Sequence, residues 1–234
     1  MGFLVNPYIE FPTESFDGWT YQDEFTADNW DSPVGDEIEV DTDNEWFGVN
    51  VSDRSPDGQV YDLQNQLGTG NFMSDTVWLM RCTLRQTTMT QGSSMYSTRF
   101  MFGLGDSNAS VSGNENQDWV GMNSQIDSTR SNWVSSFGDG EAVGVNEVVL
   151  QASDTTANKY CEFIRESATE GSVQWFSNSN FTGSINENSL VLDSTIINLR
   201  YVKGTNFNAA IPNDSTVECN FKNLQVINGQ TTPP

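Results

Sequence analysis

The stretch "TRFMFGLGD", residues 98–106, puts Phe100, Phe102 and Leu104 at every second position. Successive side chains of a strand point to opposite faces, so a period of two marks a strand with one apolar face. The prediction is a half-buried strand in which Phe100, Phe102 and Leu104 face a core while Arg99 and Met101 face out. Short runs of the same kind recur along the chain between clusters of Gly, Asn, Asp and Ser. They predict strands near Tyr21–Phe25, Glu37–Val40, Trp46–Val51, Val60–Leu63, Val77–Thr87, Ser97–Leu104 and Asp118–Ser124. Further strands are predicted near Asn132–Phe137, Glu147–Ala152, Tyr160–Glu166, Val173–Ser177, Leu199–Val202 and Thr216–Ile227. No helix-length stretch holds a capped 3.6-residue period, so the expected fold class is all-β, a sandwich or barrel.

Composition narrows the chemistry. The chain has 234 residues with a formal net charge of -22, from 32 acids against 10 bases. A nucleic-acid groove needs clustered Lys and Arg, and no such cluster is present, so no nucleic-acid partner is expected. Attachment to an anionic membrane is disfavoured for the same reason, and no segment is apolar and long enough to insert. There is no His, which removes Ser-His-Asp and Cys-His catalysis and His-based zinc sites. Cys82, Cys161 and Cys219 are widely spaced, odd in number and set in strand-like runs, so buried free thiols are expected rather than a disulfide framework. No signal peptide is visible at the N-terminus, and a virion surface or extracellular location is expected by another route.

Residues 20–230 read as one domain, without internal repeat or compositional break. Residues 1–19 carry Pro7 and Pro12 among Phe3, Leu4, Val5, Tyr8, Ile9 and Phe11, and read as an extended arm. That arm is expected to dock on copies of the same protein or on other virion or surface proteins. Residues 231–234 form a short tail that ends in two prolines.

Several segments, in order, resemble the concanavalin A-like lectin/glucanase superfamily in its laminin-G-like branch. "YQDEFTADNW" is similar to the opening strand of such domains, and "YCEFIRESATEGSVQWFSNSNFTGSI" to their hairpin with its trailing loop. "LRYVKGTN" and "TVECNFKNLQVING" resemble the closing pair of strands. The resemblance spans roughly residues 20–230 and implies an antiparallel two-sheet jelly roll with one concave face.

It also bears on "DEIEVDTDNEW", residues 36–46, where Glu37, Glu39 and Asp41 share one face of a strand. Retaining glycosidases need two carboxyls about 5 Å apart. Glucanases of the superfamily carry Glu-x-Asp-x-Glu or Glu-x-Asp-x-x-Glu in mid-chain. Here the run comes early, has Glu at its centre and Asp at its end, and leads into an acidic turn. A proton-donating acid needs an apolar, enclosed setting, so this run reads as a hydrated face and no enzyme is expected.

Binding residues are drawn from elsewhere. Trp30, Trp78, Trp119 and Trp175 read as core, while Trp46 and Trp133 are candidate sugar platforms. Arg130 and Asn132 stand beside Trp133 and could bind hydroxyls; the competing reading is a tryptophan that covers the sandwich edge. The loop "GDSNASVSGNENQD" offers Asp106, Asn108, Asn114, Glu115 and Asp118. It is a candidate calcium loop, or a solvated polar loop, since calcium takes six to eight oxygens. Asn178, Asn180 and Asn186 read as turn chemistry. These expectations describe a non-catalytic structural surface protein, a capsid decoration or fibre component of a virion, with a lectin-like domain that attaches to glycans. The alternatives are a soluble or cell-surface carbohydrate-binding module and, more distantly, a glycoside hydrolase or lyase.

Overall fold

The computed structural model describes residues 18–19, 21–34, 38–51, 58–63, 77–90, 99–107, 118–126, 131–139, 148–152, 158–191, 199–207 and 216–234, with only the backbone described for part of these strands. Among them are fifteen strands and no helix. The first sheet contains β1 (Tyr21–Asp23), β3 (Ile38–Asp41), β4 (Trp46–Val51), β6 (Trp78–Thr90), β11 (Lys159–Arg165), β12 (Glu170–Phe176), β13 (Ser184–Val191) and β15 (Thr216–Asn228). Its order is β13-β12-β11-β6-β15-β4-β3, with β1 continuing the β4 side of the long β15. The second sheet contains β2 (Asp31–Val34), β5 (Gly58–Asp62), β7 (Arg99–Gly105), β8 (Asp118–Ile126), β9 (Ser131–Asp139), β10 (Val148–Ala152) and β14 (Tyr201–Phe207), in the order β10-β9-β8-β7-β14-β5-β2. Every pairing among the described strands is antiparallel, and the architecture is the expected two-sheet sandwich.

Each predicted strand has a counterpart with ends shifted by a few residues. Two strands escape the sequence pattern. The β2 run "DSPV" holds Pro33, which cannot donate to a ladder and fits only at a sheet edge, where β2 lies. The β13 run "SINENSLV" has a polar centre, Asn186–Ser189, without alternation, and carries Asn186 opposite Trp175, so Asn186 is a strand residue and not a turn residue.

The core lies between the sheets. Phe100, Phe102 and Leu104 are wholly buried there, as their alternation predicts. Met101 faces away from the core, as predicted, but is buried against Trp119, so the outer side of this strand is covered rather than wet. Trp30, Trp78 and Trp175 join the core, whereas Trp119 belongs to that outer pair. Cys82, Cys161 and Cys219 are free and buried, as expected, and burial pushes the Cys161 and Cys219 thiols well above the ordinary range. Among the described residues no helix is long and apolar enough to cross a membrane. The expected arm lies outside the described residues apart from Gly18 and Trp19.

The two sheets are joined by rings. Phe221 of β15 stacks on Phe102 of β7 at 4.1 Å between centroids and 15° between planes. Phe47 of β4 lies 5.7 Å from Phe102, and Tyr21 stacks on Tyr61 at 4.3 Å farther along the sandwich. Gly204 of β14 makes room for this cluster: a Cβ there would lie 2.6 Å from Phe47 Cζ and 3.2 Å from Phe100 Cζ. Overpacking of a filled core costs about 1–3 kcal/mol. Gly204→Ala is therefore expected to lower unfolding stability by that amount in urea titration. An unchanged midpoint would show that the rings have slack.

Candidate functional site

The outer face of the first sheet is built by alternation. Phe47, Leu84, Phe221 and Cys161 point into the core, so their chain neighbours Trp46, Thr83, Arg85, Asn220, Lys222 and Tyr160 point out. Register aligns these outward residues in rows. Tyr160 pairs with Thr83, which pairs with Lys222 across β11, β6 and β15. In the next row Gly48 pairs with Asn220, which pairs with Arg85. The result is a cleft of about 200 Å³ lined by Trp46, Thr83, Arg85, Asn158, Asn220 and Lys222.

Trp46 is set in place by the turn before it. Asp41 accepts hydrogen bonds from the Asp43 and Asn44 backbone N–H groups, both at 3.1 Å, and from Asn44 Nδ2 at 2.7 Å. Glu45 then takes a left-handed φ of 57°. A Cβ at Gly48 would lie 3.5 Å from Trp46 Nε1, so the glycine gives the indole a flat bed on the sheet. Lys222 Nζ donates to Asn44 O at 2.9 Å and stands 5.4 Å from the centre of the Trp46 ring, within cation–π range. Arg85 Nη1 donates to Asn158 Oδ1 at 3.3 Å. The same hydrogen bonds, those from Asn44 foremost, hold the Asp41 carboxyl below its usual range. Asp41 is a turn cap, Glu39 is exposed, and Glu37 lies outside the described residues.

A second cleft, of about 210 Å³, adjoins the first at Thr83. Its other walls are Glu24, Tyr160, Ser179, Phe181, Asn223 and Gln225. Phe181 comes from the loop after β12, which Asn178 clamps: its Oδ1 accepts from Asn180 N at 3.1 Å and Thr182 N at 3.3 Å, and its Nδ2 donates to Thr182 O at 2.6 Å. The turn chemistry expected of Asn178 and Asn180 is thus present. The loop lays Phe181 edge-on against Tyr160 and Phe176, with the Arg81 guanidinium 4.3 Å above its ring. Arg81 is in turn paired with Glu162. Asn223 reaches this cleft through a bulge: the β15–β6 register jumps between Lys222 and Gln225, and Asn223 has a φ of 52°.

Of the predicted sugar platforms, Trp46 lies on this face. Asn132 and Trp133 lie in β9 of the other sheet, paired through the backbone with Gln125 and Ser124, so Trp46 and Trp133 are not brought together. The side chains of both β9 residues, and Arg130, lie outside the described residues. Sequence reading passed over Arg85, Asn220, Lys222, Tyr160 and Phe181. A signal was available: "CTLR" at 82–85 and "CNFK" at 219–222 share an inward Cys and hydrophobe with an outward polar residue and cation. Of the predicted calcium ligands, Asp106 and Asp118 meet across the β7–β8 connection, where Asp106 N donates to Asp118 O at 3.0 Å. Asn108, Asn114 and Glu115 lie outside the described residues. Among the described residues no three of His, Cys, Asp or Glu gather as a metal site would require.

An ammonium already stands at that place. Lys203 is wholly buried, donates from Nζ to Ser107 O at 3.0 Å and interacts with Asp106. Burial lowers its pKa from 10.5 to about 8 against the pull of Asp106. Below about pH 8 both folded and unfolded chains carry the proton, and folding bears the full desolvation cost. Between pH 8 and 10.5 only the unfolded chain binds it, so stability rises with pH. Relative to Lys203→Met, the native protein is expected to gain about 1.4 kcal/mol per pH unit in mid-window. Urea unfolding of both proteins from pH 7 upward measures this, and a pH-independent difference would mean a hydrated ammonium.

No protein-family model matches the chain, and no curated protein matches it by sequence. Solved structures do match in shape. The carbohydrate recognition domain of Emp46p, in its metal-free form, superposes with a TM-score of 0.54 at 10% identity, covering 89% of this chain and 97% of that one. The CBM2 module of the evolved Dit of Lactobacillus casei BL23 phage J-1 gives 0.54 at 9% identity, covering 89% and 94%. A family 7 alginate lyase, A1-II', gives 0.52 at 10% identity, covering 86% and 85%. At such identities the likeness speaks for the fold alone: this chain folds as a concanavalin A-like jelly-roll sandwich.

Proposed function

We propose that this protein is a non-catalytic surface protein that holds glycans on the outer face of its first sheet, displayed on a virion as a capsid decoration or fibre component. The observation that carries the glycan reading is the Trp46 cleft, where an indole, two amides, a hydroxyl and two cations converge on one open hollow. Sugar rings offer apolar C–H faces to an aromatic ring and hydroxyls to amides, the mix that this cleft supplies. Likeness to a carbohydrate recognition domain and a carbohydrate-binding module supports the reading. The virion placement is supported by the apolar residues of 1–19, which suit attachment to a neighbouring subunit, and by likeness to a phage module.

A cell-surface carbohydrate-binding module would use the same cleft. Turnover is the competing reading, since alginate lyases share the fold. Against it, the acid of the 36–46 run whose pKa moves, Asp41, moves down, and an ionised turn cap donates no proton. The reading needs no calcium, because Lys203 is the cation beside Asp106.

The test is calorimetric titration with oligosaccharides of laminarin, agarose, carrageenan and alginate. At least one should bind saturably and be recovered uncut. Trp46→Ala should weaken that binding about tenfold, the loss typical of a central aromatic anchor, with an unchanged melting temperature. Cleavage of any of the four, or full affinity in the variant, would overturn the proposal.

A further inference from the structure

We infer that the glycan held on this face is acidic, carrying carboxylate or sulfate groups that Arg85 and Lys222 receive. The inference rests on the glycan-binding reading above and names the ligand class of the same cleft.

The chain is poor in bases and rich in acids, and two other cations meet acids: Arg81 pairs with Glu162, and Arg200 with Asp62, where Nε donates to Oδ1 at 2.7 Å. Arg85 and Lys222 differ. Among the described residues neither meets a carboxylate: Arg85 has the Asn158 amide, and Lys222 has the Asn44 carbonyl and the Trp46 ring. They are diagonal neighbours, since Asn220 pairs with Arg85 and Lys222 lies two residues on. Diagonal positions on adjacent strands are about 7–8 Å apart, so both can reach substituents of one or two adjoining sugar rings. Arg85 supplies a planar fork that matches a carboxylate or sulfate, and Lys222 a point charge beside the indole.

Three of the nearby acids are engaged. Asp41 caps its turn, Glu162 is paired with Arg81, and Glu218 accepts the Thr88 hydroxyl, which leaves Glu39, Asp43 and Glu45 exposed around the cleft and Glu24 on the wall of the adjoining one. The wider charge of -22 repels an acidic glycan at long range. Salt screens that repulsion within about 8 Å at physiological ionic strength, whereas contacts inside the cleft are closer than this. A neutral glycan could take hydrogen bonds from Arg85 and Lys222 but would leave both charges without a counter-charge.

The experiment compares matched oligosaccharides at physiological salt: agarose fragments as the neutral galactan, carrageenan fragments as the sulfated galactan, and alginate fragments as the polyuronate. At least one acidic ligand should bind about fivefold or more tighter than the neutral one, as two exposed charge contacts allow. Which acidic arm wins separates sulfate from carboxylate. The preference should disappear in Arg85→Gln/Lys222→Gln and persist in the charge-conserving Arg85→Lys/Lys222→Arg, with all three proteins melting alike. Equal affinity for neutral and acidic ligands would overturn this inference while leaving glycan binding intact. No binding of any fragment would overturn both.

Discussion

The stack of Phe102 on Phe221 bridges the two sheets, and the rest of the sandwich is arranged around it. The rings sit 4.1 Å apart, with Phe47 and Phe100 around them and bare backbone at Gly204 beneath. Once Phe221 points inward, the pleat forces Asn220 and Lys222 outward. Once Phe47 points inward, Trp46 and Gly48 face out. A slip of one residue on β15 would bury Lys222 and expose Phe221, so the core holds the register of the cleft as firmly as it holds itself. The candidate face is the reverse side of the core, on the same strands.

Two charged side chains, Arg165 and Asp23, finish backbone that the sheets leave open. Arg165 is wholly buried, and its Nε and Nη2 donate to the carbonyls of Ser167 at 3.0 Å and Ala168 at 2.7 Å, closing the turn between β11 and β12. Asp23 accepts from Tyr21 Oη at 2.7 Å, Trp30 Nε1 at 2.8 Å and Phe25 N at 2.6 Å, pinning the connection from β1 to β2. Such charges are tolerated because their hydrogen-bonding capacity is met, whereas an unmet buried charge would cost several kcal/mol. The clefts are bounded by similar local devices. Asp41 and Asn178 each tie a turn whose last residues deliver an aromatic ring, Trp46 or Phe181, onto the sheet.

The sandwich was legible in the sequence because its strands alternate or run apolar, and Phe100, Phe102 and Leu104 declare their face directly. The failures have physical causes. The polar centre of β13 and the proline of β2 are edge features, tolerated where one side lacks a partner strand. Met101 was read as outward, which holds, but its burial depends on Trp119, a residue of the next strand that no local period reveals. Much of the cleft was missed for the same reason. Arg85 and Lys222 are remote in sequence and meet only through the β6–β15 register, and Asn223 enters only through a bulge. Trp46 could be singled out as a type, but Trp133 could not be assigned to the other sheet without the pairing of β9 with β8.

The shape of the face bears on how it could work. Two adjoining hollows of about 200 and 210 Å³ are small beside pockets that enclose a ligand, which run from about 300 to 1,000 Å³. A shallow hollow covers one side of a sugar and leaves the other in water, so each contact is wet and individually weak. Sharing of Thr83 sets the two hollows side by side on one face, which suits a chain of sugars better than a single ring. A weak, extended site gains most from repetition: when copies are held together, the second binding event is intramolecular, and avidity can exceed single-site affinity by about 10²–10⁴ without any new contact. Under the proposed display on a particle, the low affinity of one open face is no defect. It lets single contacts exchange while the array stays attached.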